Sequence, residues 1–117
     1  MTNTPLNELD LELPEVVTTY LAAKLDADPD TILACFTDNA LVHDEGRDHR
    51  GRAAIRAWLT DLAGRYTLTY TLLGADRWAG GAAVRVEVAG NFPGSPVALH
   101  QHFGLAGDRI AALTICP

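Results

Sequence analysis

The 117-residue chain carries 48% hydrophobic and 21% charged residues, the balance of a single folded domain. Its formal net charge of −6 argues against a nucleic-acid partner, because phosphates require a basic face. No stretch approaches the roughly 20 apolar residues that cross a bilayer, and residues 1–13 lack the basic start and apolar run of a signal peptide, so a cytoplasmic protein without a membrane partner is expected.

Residues 1–13 are polar and acidic and read as an N-terminal extension, leaving 14–117 as one domain. Pro14 to Leu25 has the spacing of an amphipathic helix, with Val16, Val17, Tyr20, Leu21 and Leu25 on the apolar stripe. Asp28-Pro29 restarts a helix, Asp28 as cap and Pro29 at the first position. Ile32, Leu33 and Phe36 form its buried side, and Asp38-Asn39 ends it. Ala40 to Asp44 is a short strand, and Gly46 to Arg50, without one apolar residue, is a polar loop. A third helix runs from about Arg52 to Ala63, with Ile55, Trp58, Leu59 and Leu62 on one face and Gly64 as its stop.

From Thr67 the period changes to two. Thr67 to Leu72 and Val84 to Val88 alternate as half-buried strands, with Gly80-Gly81 turning between them. Asn91 to Pro96 is a loop, Val97 to Leu105 a strand, Ala106 to Arg109 a tight turn and Ile110 to Ile115 the last strand. Helices gathered early and a meander gathered late predict an α+β domain: three N-terminal helices packed on the concave side of a cone-shaped, curved antiparallel sheet. Such a half barrel encloses a cavity.

That order resembles the nuclear transport factor 2-like superfamily. Asp28 to Ala40 (DPDTILACFTDNA) is similar to the second-helix segment of its small enzymes. His43-Asp44-Glu45-Gly46-Arg47, followed by His49 to Ile55, resembles the strand, loop and helix start of SnoaL-like and ketosteroid isomerase-like proteins. The resemblance covers Pro14 to Ile115. It implies a pocket for a small apolar molecule, no cofactor, a homodimer through the outer face of the sheet, and isomerase or polyketide cyclase-like chemistry. Asp44 matches the position of the isomerases' catalytic carboxylate, and Tyr20 that of their oxyanion-donor tyrosine. The isomerases' second aspartate has no counterpart: its place falls near Gln101, on a strand without an acid.

Read by themselves, the same residues make chemical sense. Alternation turns Asp44 inward with Val42, and a carboxylate shut away from water is a stronger base. The plain alternative is a strand-end aspartate holding its own loop, or one neutralised by Arg47 or Arg52. Tyr20 on an apolar stripe needs a partner for its hydroxyl, which a pocket ligand or Asp44 would supply, with a core tyrosine bonded to backbone or water as the plain alternative; in place of the second acid, Gln101 offers one amide hydrogen bond. His49, in the polar loop, is a candidate to orient Asp44. Phe36, Trp58, Phe92, Gln101 and Phe103 are candidate pocket walls, with plain core as the alternative for the aromatic ones. His100 and His102 share the face of their strand that turns away from the pocket, and no metal site is expected. Cys35 and Cys116 read as free thiols. The function so implied is a cofactor-free isomerase, cyclase or dehydratase with Asp44 as general base on a carbonyl compound. The alternative is a binding or assembly module of the same fold.

Overall fold

The computed structural model describes residues 13–26 and 28–117. The extension expected over residues 1–13 lies outside the described residues, except for Leu13, which is buried. Helix α1 (Glu15–Leu25) begins after Pro14, whose carbonyl accepts from the amides of Val17 and Thr18. Its stripe of Val17, Tyr20 and Leu21 is buried. Helix α2 (Pro29–Ala34) is one short piece capped by Asp28, whose carboxylate accepts from the Thr31 amide at 3.3 Å and from its hydroxyl at 2.6 Å.

Strand β1 (Phe36–Asp44) then pairs with β2 (Arg47–Arg50), and helix α3 (Arg52–Arg65) follows. Four long strands complete the chain: β3 (Leu68–Trp78), β4 (Gly81–Gly90), β5 (Val97–Ala106) and β6 (Arg109–Cys116). They form one six-stranded sheet in the order β2-β1-β6-β5-β4-β3. Every pairing is antiparallel except β1 with β6, which is parallel. The last strand therefore sits inside the sheet and joins the β1–β2 hairpin to the meander.

Three local expectations are corrected. Phe36 is not on the second helix, which ends at Ala34, and Asp38-Asn39 lies within β1. Distant groups take the chain out of the helix there: the Ile110 amide donates to the Cys35 carbonyl at 2.8 Å, and Arg52 Nη2 donates to the Phe36 carbonyl at 2.6 Å. Residues 47–50 are a strand and not a loop, because backbone pairing at an exposed edge needs no apolar side chain. Glu45 and Gly46, with φ of 54° and 73°, make the two-residue hairpin turn between Asp44 and Arg47. The third helix passes Gly64 and ends at Arg65, and it follows β2, so not all three helices precede the sheet.

The core lies between the helices and the inner face of the sheet. Val84, Val86 and Val88 point into it, while Arg85 is exposed and Glu87 half-exposed on the other face. Phe36 and Phe103 each meet the Tyr20 ring edge-on, at centroid distances of 5.7 and 5.5 Å. No helix among the described residues is long and apolar enough to cross a membrane.

Candidate functional site

Between the helices and the concave face of the sheet lies a cavity of about 270 Å³. Tyr20 and Lys24 enter it from α1, one helical turn apart, and Asp44 from the end of β1. Trp58 and Leu62 come from α3, Tyr70 from β3, and Leu99 and Gln101 from β5. Phe92, in the β4–β5 loop, meets Tyr66 edge-on at 5.9 Å and closes one side. The walls are mostly apolar, with a few polar groups converging, the usual make-up of a small-molecule site.

Asp44 is half-buried, and its Oδ2 accepts a hydrogen bond of 3.0 Å from Trp58 Nε1. Among the described residues no arginine pairs with it. Arg52 pairs with Asp38 at 3.0 Å, Arg56 with Asp30 at 2.8 Å, and Arg65 with Glu45 and Asp61 at 2.8 Å each. Asp48 is taken by His43 Nδ1 at 2.7 Å. The neutralising arginine weighed from the sequence is therefore not at Asp44.

The Tyr20 side chain is wholly buried, and its hydroxyl finds no hydrogen-bond partner among the described residues. Burial, and then the charges of Tyr70 and Asp44, hold that hydroxyl well above the ordinary tyrosine range, so it stays a proton donor. Gln101 is 5% exposed, and its Oε1 also lacks a partner among the described residues. A buried polar group left unpaired is costly in a native fold, and two facing one cavity leave open positions for a ligand.

Lys24 was not found from the sequence. Its ammonium lies over the rings of Trp58 and Tyr70, 5.0 and 5.3 Å from their centroids. Burial brings its pKa down to about 8, against a smaller upward pull from Asp44. A signal was present: Lys24 is the only lysine of the chain, beside eight arginines, and it stands four residues after Tyr20 on the same stripe. Tyr70, raised by burial and by Asp44, was also missed, because an alternating strand does not say which inward residue reaches a cavity.

Of the other residues expected here, Trp58, Phe92 and Gln101 line the cavity. Phe36 and Phe103 do not: they are core residues behind Tyr20, 0% and 2% exposed. His49 is on β2 and outside the cavity, its ring 5.9 Å from the Trp58 ring. His100 and His102 stack at 6.4 Å on the exposed face of β5. Among the described residues no group of three metal-ligating side chains occurs.

A curved sheet closed by helices over one pocket defines the nuclear transport factor 2-like class of α+β domain. Within it the chain belongs to the SnoaL-like domain family, which matches residues 17–113. A crystal structure from Sinorhizobium meliloti, of a protein assigned provisionally as a polyketide cyclase, is 33% identical, with a TM-score of 0.87 over 96% of this chain and 99% of that one. A ketosteroid isomerase-like protein from Catenulispora acidiphila, solved with trimethylamine, is 21% identical, with a TM-score of 0.77 over 89% and 85% of the two chains. An epoxide hydrolase from Mycobacterium tuberculosis is 18% identical, with a TM-score of 0.72 over 87% and 79%. The last two share the fold alone. No curated protein matches the sequence.

Proposed function

We propose that the chain is a cofactor-free enzyme of proton transfer on a small, largely apolar carbonyl compound, with Asp44 as general base. The observation that carries this reading is the Asp44 carboxylate on the cavity wall, held by the Trp58 indole at 3.0 Å and paired with no arginine among the described residues. Asp44 takes a proton from the carbon beside the carbonyl, and the electron pair moves to the carbonyl oxygen. The Tyr20 hydroxyl, buried and without a partner among the described residues, donates to that oxygen as its charge grows. The enolate then takes the proton back at another carbon, attacks a second carbonyl, or expels a hydroxide. These are isomerisation, aldol-type cyclisation and dehydration. The protein from Sinorhizobium meliloti, named for polyketide cyclisation, supports the second of these.

Exchange in heavy water tests this without knowledge of the natural substrate. The protein is incubated in D2O with a panel of cyclic enones and β-diketones, and deuterium at the acidic carbon is followed by NMR. Wild type is expected to exceed Asp44→Asn by about 100-fold or more, the usual share of a general base. Equal exchange by the two would sink the mechanism. Ligands that raise the melting temperature without exchange would instead favour a binding module of the same fold.

A homodimer through the outer face of the sheet belongs to the same proposal. That face carries Arg85, His100 and His102, exposed and in adjacent strands, with Arg85 opposite His100. Light scattering at micromolar concentration reads it directly, and a monomer refutes it.

A further inference from the structure

Lys24 has no part in the reaction above, yet it occupies the same cavity as Asp44 and Tyr20. Its position is unusual for a helix-end lysine. Such residues serve the helix dipole from solvent, whereas this one is partly buried, with its amine over the rings of Trp58 and Tyr70. Among the described residues no carboxylate lies within 4.0 Å of it, Asp44 and Glu45 included, although both line the cavity. The chain places its one side-chain amine in its apolar pocket and uses arginine at every other basic position.

We propose that Lys24 is a nucleophile that condenses with the aldehyde or ketone carbon of the ligand to form a protonated imine. This rests on the reading of the pocket as a site for carbonyl compounds. The Lys24 ammonium first loses a proton, which reaches Asp44 across the cavity by way of water, since the two groups are not in contact. The freed nitrogen lone pair attacks the carbonyl carbon, a C–N bond forms, and the carbonyl π pair moves to oxygen, where Tyr20 donates. A nitrogen proton passes to that oxygen, giving a carbinolamine. The Asp44 carboxylic acid then protonates the hydroxyl, the C–O bond breaks, water leaves, and the nitrogen lone pair closes the C=N bond. Carbonyl plus ammonium has become iminium plus water, with charge conserved and nothing oxidised or reduced. The iminium draws electrons from the neighbouring carbon more strongly than a neutral carbonyl does, so its proton is easier for Asp44 to remove.

Burial supplies what the first step needs. Desolvation lowers the Lys24 pKa to about 8, so far more free amine is present near neutrality than for a lysine in water. Besides Asp44 and Glu45, the titratable side chains that line the cavity with it are Tyr20, Tyr66, Tyr70 and Cys116, and of these Tyr20 and Tyr70 are held protonated by burial.

The test is reductive trapping with cyclohexanone and sodium cyanoborohydride near pH 7.5, with the modified residue found by peptide mass. Because Lys24 is the sole lysine, the α-amino group is the only competing amine. Labelling of Lys24 is expected to be at least about tenfold faster in the folded protein than in urea, where its pKa returns to that of a free lysine. Lys24→Arg, which keeps the charge, is expected to lose the adduct. Slower labelling when folded, in a protein that still exchanges deuterium through Asp44, overturns the role of Lys24 alone. Loss of both labelling and exchange overturns the carbonyl reading as well.

Discussion

The indole nitrogen of Trp58 donates to Oδ2 of Asp44 at 3.0 Å, and so ties the middle of α3 to the end of β1. Among the described residues the other carboxylate oxygen accepts no side-chain hydrogen bond, and the residue lines the cavity. Trp58→Phe keeps most of the ring and removes only this donor. A hydrogen bond to a charged group contributes about 1.5–3 kcal/mol, so a loss of roughly tenfold or more in kcat is expected. With Asp44 as the proposed base, Trp58 would orient it and move no proton itself, so KM should change little. A rise in KM at constant kcat would assign Trp58 to ligand packing instead.

Tyr20→Phe separates stability from function. The hydroxyl is buried and unpartnered, so its removal lifts a desolvation cost while the ring keeps its edge contacts to Phe36 and Phe103. Urea denaturation is expected to show stability unchanged or raised by up to about 1 kcal/mol. Deuterium exchange should fall by about 100-fold, the usual loss of an oxyanion donor. A clear loss of stability would mean that the hydroxyl has a partner in solution.

Lys24→Met should show a particular dependence on pH. The folded Lys24 titrates at about 8 and the unfolded one near 10.5, so between these values the unfolded chain holds more protons. Stability of the wild type must then rise with pH across that window, relative to the variant. Below pH 8 the wild type carries a poorly solvated ammonium, and Met should be the more stable by about 1 kcal/mol. Thermal melts at pH 7 and pH 10 check the sign. A difference that stays constant would mean an ammonium in full contact with water.

Arg52 is a control outside the cavity. It holds the start of β1 by donating to the Phe36 carbonyl at 2.6 Å and pairing with Asp38 at 3.0 Å. Arg52→Ala is expected to cost about 1–2 kcal/mol of stability. Exchange per folded molecule should not change.

Gly90, at the end of β4, leads into the loop that carries Phe92. A Cβ there would collide with the Thr67 carbonyl oxygen, which is backbone and cannot swing away. Gly90→Ala should therefore destabilise by about 1–3 kcal/mol. It should also loosen the Phe92 wall and weaken ligand binding.

The elements that were legible in the sequence carry their signal locally. Val84, Val86 and Val88 against Arg85 and Glu87 state a half-buried strand outright, and Asp28-Pro29 states a helix start. The elements that were not legible depend on distant partners. Phe36 continues the helical spacing of Ile32 and Leu33, and only the amide of Ile110 and the guanidinium of Arg52 draw it into β1. Residues 47–50 carry no pattern at all, since their partner is the backbone of β1. The same divide runs through the site. Asp44 was found by alternation and resemblance, and Tyr20 by its place on a stripe. Lys24 was hidden because a charge near a helix end is ordinarily solvated. Phe36 and Phe103 were misplaced by one layer, since spacing tells which face a ring is on but not whether another ring stands before it.

The parallel pairing of β1 with β6 also constrains how the molecule assembles. The partner of Phe36 is Ile110, and that of His43 is Thr114, so β1 waits for residues more than half the chain away. Hairpins β3–β4 and β4–β5 can close early, from neighbours in sequence. The carboxylate on β1 reaches its place only when the sixth strand slots between two earlier ones. Loop closure of that span is slow compared with a hairpin. During synthesis the pocket wall of β3–β5 can thus exist before Asp44 joins it. The Asp44 wall of the cavity would be the last part of the molecule to form, and on unfolding from the chain's far end the first to be lost.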